Sequence, residues 1–141
     1  MRVEIRSESP FMIMPKKATD GSACYDLYST IDIILVPGET KAIPLGFSMQ
    51  VPSGWMFSIR SRSGMALNHN VIVLNSPGTI DSDYRGPVMA ILRNFGTTNY
   101  RICQGDKIAQ GLLERVHPID FVEVDRLDRT TREGGFGSTG V

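Results

Sequence analysis

Chain-breaking residues punctuate this sequence at short and regular intervals. They stand at Pro37-Gly38, Pro44 to Gly46, Pro52 to Gly54, Pro77-Gly78, Gly86-Pro87, Asn94 to Gly96 and Gly105-Asp106. Proline fixes φ and has no amide hydrogen, and glycine reaches turn conformations that other residues avoid. Breaks at roughly eight- to twelve-residue spacing leave room for short strands and little room for helices, which is the pattern of a sandwich or barrel rather than of βαβ units. Between the breaks lie β-rich runs at Ile31 to Val36, Phe47 to Val51, Trp55 to Ile59, Val71 to Leu74, Val88 to Leu92 and Lys107 to Leu113. One helix is predicted, Ser63 to His69, with Ser63 as its capping residue.

A chain of 141 residues suits one domain with a single core. No apolar run approaches the roughly 20 residues that span a bilayer. The stretch from Met1 to Phe11 alternates charged and apolar residues and lacks the continuous apolar segment of a secretory signal, so a cytoplasmic setting is expected, with no membrane partner. Fifteen basic and fifteen acidic residues cancel without a Lys/Arg block. That balance argues against a grip on polymeric nucleic acid and leaves room for a small anionic ligand. Cys24 and Cys103 stand far apart without a zinc-spaced companion and read as reduced thiols.

From Asp125 the sequence turns to charged and small residues, with Phe136 the one large aromatic. Such a segment cannot bury enough surface to offset its ordering entropy. Residues 1–124 are therefore expected to form the body, and residues 125–141 an arm that orders on binding.

The most informative segment is NSPGTIDSDYRG, Asn75 to Gly86. It reads as a hairpin in which Pro77-Gly78 supplies a turn, Thr79-Ile80 a strand, and Gly86 opens the return stroke. If the segment is extended, Asp83 shares a strand face with Asp81. By itself the pattern also suits an ordinary polar hairpin whose aspartates bond their own backbone.

With four further motifs in order, ATDGSACYDL from Ala18, RSGMA from Arg62, GDKIAQ from Gly105 and GGFGSTG from Gly134, the chain resembles the trimeric dUTPase family over almost its whole length. The resemblance implies an all-β jelly roll with one short helix, a homotrimer whose active sites draw motifs from neighbouring subunits, and hydrolysis of dUTP to dUMP and diphosphate. That reaction supplies dUMP for dTMP synthesis and keeps uracil out of DNA. By position, the resemblance makes Asp81 the carboxylate that activates the attacking water. It places Asn75, Gly78, Thr79, Ile80 and Tyr84 around the nucleoside, with the Tyr84 ring under the deoxyribose. Arg62, Ser63, Gly64 and Gln110 fall to the phosphates. In the arm, Arg132, Phe136, Gly137 and Ser138 are carried over as substrate-binding residues, Phe136 stacking over uracil. Arg132 stands one residue nearer Phe136 than the family's usual spacing. Mg²⁺ is expected to arrive with the triphosphate, and Asp26 is the candidate for a water-mediated contact to it.

The chemistry agrees with that assignment. Hydrolysis of a triphosphate needs a base within reach of a water held in line with phosphorus, and an arginine fork with glycine-rich backbone suits phosphate oxygens. Departures from the family pattern are Cys24 for Gly, Ser61 for Pro, and Pro87 for an acidic residue. Two rival readings are a dCTP deaminase, which shares the fold, and a non-catalytic nucleotide-binding jelly roll. The arm and the intact third motif oppose the first, and the added negative charge of Asp81 opposes the second.

Overall fold

The computed structural model describes residues 1–131. Eleven strands and one helix follow each other as β1 Glu4–Ser7, β2 Tyr25–Tyr28, β3 Ile33–Leu35, β4 Thr40–Pro44, β5 Phe47–Gln50, β6 Trp55–Arg60, α1 Ser63–His69, β7 Val71–Val73, β8 Gly78–Ile80, β9 Met89–Asn94, β10 Tyr100–Ile102 and β11 Lys107–Arg115. The chain is an all-β jelly roll with one short helix. Its sheets order as β2-β11-β6-β8, β4-β9-β7, and the two-stranded pairs β1-β5 and β10-β3. Strand alternation sets the core. In β9, Ala90, Leu92 and Asn94 point inward and Met89 and Ile91 outward. Leu27, Leu35, Ile43, Phe47, Ile59, Val73 and Ile108 join Ala90 and Leu92 in one apolar cluster.

Most of the predicted turns hold, but Gly78 of the predicted Pro77-Gly78 turn is the first residue of β8. Gly46 shows why one of them must be glycine: its φ is +80°, and a Cβ there would stand 2.5 Å from Thr30 Cγ2. All six predicted strand runs are strands to within two residues at their ends, and α1 spans the predicted residues. Strands β1, β2, β4 and β10 were not among the predicted runs. They are short and carry charged or polar residues among the apolar ones, so their signal is weak without their partners.

Three local expectations need correction. Ser63 does not cap α1: Arg62 occupies the N-cap, no side-chain cap hydrogen bond is made, and Ser63 is the first helical residue. The segment Asn75 to Gly86 is not a two-stranded hairpin. Strand β8 pairs with β6, whereas the return stroke β9 pairs with β4 and β7, so the segment crosses between two sheets. Beyond β8 the chain is not extended either. The Tyr84 amide donates to the Asp81 carbonyl at 3.2 Å, which closes a turn and removes the shared strand face of Asp81 and Asp83.

Ser61 explains one departure from the family motif. Its amide donates to Ser76 Oγ at 3.2 Å, and its hydroxyl accepts from the Val73 amide at 2.9 Å. A proline there would supply neither group. Regular structure ends at Arg115, and residues 116–131 are exposed and contain neither strand nor helix.

Candidate active site

Two groups of residues flank one strand ladder: the first runs along β8, from Gly78 opposite Ile59 to the turn at Asp81, and the second lies past the Arg60 end of β6. In the first, Asn75, Gly78, Thr79, Ile80 and Tyr84 line a cavity of about 250 Å³ whose apolar wall comes from Ile59, Val73, Met89 and Ile91. The size falls just under the roughly 300 Å³ at which pockets for drug-sized ligands begin, and suits one flat ring with a sugar. The backbone shapes this cavity. Gly78 is buried beneath the Asn75 side chain, whose Nδ2 would lie 3.2 Å from a Cβ at that position. The Tyr84 ring lies across Gly86, where a Cβ would stand 2.4 Å from Tyr84 Oη, and the hydroxyl donates to the Pro87 carbonyl at 3.1 Å. Asp81 follows the last residue of β8 and is exposed. Its turn is braced by Arg85, whose Nη1 donates to the carbonyls of Ser82 at 2.7 Å and Tyr84 at 2.8 Å.

At the second end, long side chains and charge take over. Gln110 sits opposite both Asp26 and Arg60 in the central sheet, and its Nε2 donates to the Ser61 carbonyl at 2.9 Å. Arg62 Nη1 donates to the Lys107 carbonyl at 2.8 Å, and Nε lies 3.7 Å from Asp26 Oδ1. Lys107 Nζ lies 2.7 Å from Asp26 Oδ2. The hydrogen bond that Lys107 donates to Asp26, reinforced by the carboxylate charge, raises the Lys107 pKa above the usual lysine range and keeps the ammonium protonated. Burial pushes the Tyr100 phenol up, with Asp106 adding to the shift and Arg62 opposing it. Tyr100 also packs on His69 at a ring separation of 5.0 Å, tying the far end of α1 to β10. Ser63 and Gly64 are exposed at the start of α1, and a Cβ on Gly64 would meet nothing. Packing within the chain therefore does not require glycine at position 64.

The ladder separates the two ends. Ile59, Ser58 and Phe57 pair with Gly78, Thr79 and Ile80, so Arg62 leaves one end of the pairing and Asp81 the other. At about 3.3 Å per strand residue, their separation is on the order of 20 Å.

The family model for dUTPase matches residues 11–140. The deoxyuridine 5'-triphosphate nucleotidohydrolase of Helicobacter pylori (strain ATCC 700392 / 26695) is 41% identical over 142 residues, covering 100% of this chain and 98% of the relative. The chain belongs to the dUTPase family. The Anaplasma marginale (strain St. Maries) protein of the same description is 47% identical over 131 residues, 91% of this chain and 89% of its own. Among solved structures, a dUTPase variant of Staphylococcus bacteriophage 80alpha with dUpNHpp superposes at a TM-score of 0.89 and 22% identity, covering 99% of both chains. A variant dUTPase of phage phi11 of S. aureus, described with a coordinated structural Mg(II) ion, superposes at 0.83 and 21% identity, over 92% of this chain and 100% of the other. At those identities the likeness shows the shared dUTPase fold.

Among the described residues of this dUTPase-family chain, no three His, Cys, Asp or Glu side chains are grouped to hold a metal. Asp26 already faces a cation on each carboxylate oxygen, which does not suit direct coordination. A water-mediated contact leaves both pairs intact, and Mg²⁺ characteristically keeps waters and binds substrate phosphates. Four of the predicted site residues, Arg132, Phe136, Gly137 and Ser138, lie outside the described residues. Sequence reasoning passed over Lys107 and Arg85. Lys107 stands inside the fourth motif, and the register between β11 and β2 shifts just after it. A cation two residues from a turn glycine was the one available signal.

Proposed function

We propose that this chain hydrolyses dUTP to dUMP and diphosphate. The observation that carries the reading is the cavity of about 250 Å³ built by Asn75, Gly78, Thr79, Ile80 and Tyr84 at the strand whose next residue is Asp81. A base and sugar in that cavity put the α-phosphorus near the Asp81 carboxylate. Asp81 then takes the proton of a water attacking in line, and the electron pair of the broken P–O bond leaves on diphosphate. Arg62, Ser63, Gly64 and Gln110 receive the growing negative charge through N–H and O–H donors. Arg132, Phe136, Gly137 and Ser138 complete the set from the arm, residues 125–141, which closes over the body formed by residues 1–124. Mg²⁺ bound with the triphosphate would supply charge neutralisation at the phosphates, and Asp26 is the residue that would hold it through water.

Selectivity against ribose falls to Tyr84. Its ring is fixed by Gly86 beneath and Pro87 beyond, so a 2′-hydroxyl meets a wall that cannot swing aside. Release of diphosphate from dUTP, dTTP, dCTP and UTP with Mg²⁺ tests this reading. dUTP alone should react at a high rate; ammonia from dCTP would point to deamination instead.

The same reading makes the enzyme a homotrimer with shared sites. A separation on the order of 20 Å between Arg62 and Asp81 exceeds what neighbouring phosphates of one nucleotide bridge. Two chains facing each other can bring these residues together. Ile119, Phe121, Val122 and Leu127, all highly exposed in the segment after β11, favour a neighbour that covers them. Co-expression of Asp81→Asn chains with chains truncated after Asp128 tests the sharing. Verified mixed assemblies should recover dUTP hydrolysis that neither parent shows, and inactivity would place base and arm in one chain. No described helix is long and apolar enough to cross a membrane, and we place the enzyme in the cytoplasm.

A further inference from the structure

The guanidinium of Arg62 is engaged by the chain's own groups at two of its three nitrogens. Its Nη1 donates to the Lys107 carbonyl at 2.8 Å, while Nε lies 3.7 Å from Asp26 Oδ1. The second separation is an ion pair rather than a hydrogen bond. Asp26 is itself held from several sides. Lys107 Nζ reaches its other oxygen at 2.7 Å, its backbone amide donates to the Lys16 carbonyl at 2.7 Å, and it pairs across the ladder with Gln110. The Asp26 side chain is only 13% exposed.

Arginine carries five N–H donors in a rigid planar fork. With Nε–H turned toward Asp26 and one Nη1 hydrogen toward the Lys107 carbonyl, Nη2 takes no hydrogen-bond partner among the described residues, and the Nη1/Nη2 end of the fork is the free edge left for bidentate phosphate recognition. A carboxylate beside a phosphate site otherwise opposes an anionic ligand, so its place there calls for a compensating role.

We propose that Asp26, held by Lys107, is a positioning residue that aims the free edge of Arg62 at the substrate phosphates. The inference rests on the dUTP-hydrolysing reading of the site. Asp26 acts through Arg62 and need not touch the nucleotide. A pre-aimed guanidinium loses less freedom when charge develops on the leaving group, so its benefit falls on the chemical step.

Asp26→Asn removes the anchor and makes the phosphate end more positive. KM for dUTP should stay level or fall, while kcat drops on the order of 10- to 10²-fold, the scale on which small misplacements act. A residue that merely stabilises the fold would lower the yield of folded enzyme without splitting kcat from KM in this way. The deciding comparison is a double-mutant cycle with Arg62→Lys, which has no Nε to align. In that background Asp26→Asn should cost little further in kcat. An equal loss in both backgrounds, or a raised KM with kcat intact, overturns the proposal.

Should either variant fail to fold or lack measurable turnover, the unaltered protein decides. The Arg62 Nε–H should exchange with solvent more slowly than that of the exposed Arg2 by NMR; equal exchange overturns the proposal. Failure of wild-type enzyme to release diphosphate from dUTP would instead remove the parent reading, and leaves the exchange result standing.

Discussion

The two sets of residues beside the β6–β8 ladder recognise by different physics. At the nucleoside end, shape comes from backbone and packing: Gly78 under Asn75, the Tyr84 ring over Gly86, and a turn closed by Tyr84 and braced by Arg85. At the phosphate end, Arg62, Lys107 and Asp26 are charged groups held by one another, and Gln110 is held by the Ser61 carbonyl. A neutral base and sugar offer few charges, so a rigid outline discriminates best, because a fixed wall excludes what weaker affinity alone only disfavours. A triphosphate offers many charges and little distinctive shape. Donors on long side chains suit it, provided something aims them.

The largest effect should come from Asp81, which follows β8 at the end of the pairing away from Arg62. Asp81→Asn keeps the cavity and the phosphate donors yet removes the base, and kcat should fall roughly 10²- to 10⁴-fold with dUTP binding preserved. Wild-type turnover in a folded variant would leave the chemistry to another group.

Selectivity should shift next, and only from the nucleoside end. Gly86→Ala drives a methyl into the Tyr84 ring, and Tyr84→Ala removes the ring outright. Both should raise UTP hydrolysis relative to dUTP, by about 10- to 10²-fold in the ratio of kcat/KM. An unchanged ratio in folded variants would separate the sugar gate from Tyr84.

Gly111 lies on β11 between the two ends, where a Cβ would stand 2.3 Å from the Phe57 ring. Phe57 pairs with Ile80, and Gln110 is the neighbouring residue on β11. Gly111→Ala should cost about 1–3 kcal/mol by overpacking, measured by denaturant unfolding. If the ends are mechanically linked through β6 and β11, dUTP turnover falls as well; destabilisation with normal turnover would show them independent.

The smallest expected effect comes from a carboxylate remote from both ends. The Glu39 carboxyl is held below the usual glutamate range, first by its hydrogen bond to Lys41 and then by the Val36 amide. Its folded pKa lies below the unfolded value of about 4.3, so its contribution is present above that value and fades as pH falls through the lower folded pKa. Glu39→Gln should flatten the loss of stability with acid in that window, and leave the dUTP/UTP ratio untouched at neutral pH. A variant with unaltered acid unfolding would dismiss this pair as a contributor.

How much was legible in advance differs between the two ends. The nucleoside residues lie within one stretch, Asn75 to Gly86, whose turn residues and charges can be read in order. The phosphate residues come from β2, the link between β6 and α1, α1 itself and β11, and nothing local in the sequence shows that Asp26 and Lys107 meet Arg62. Strands β1 and β4 escaped notice for a related reason: each is defined by pairing with a distant strand more than by its own composition.

The sequence by itself determined the class of fold, the positions of most turns, the span of α1 and the family. These rest on local signals: proline and glycine placement, alternation, and motif order. Tertiary structure decided that β7 and β8 enter different sheets, that Asp81 ends its strand in a closed turn, and that Arg62 and Asp81 lie at opposite ends of one ladder. The physical reason is that turn chemistry acts over a few residues. Strand partnership and register are selected by burial and hydrogen bonding between segments far apart in the chain.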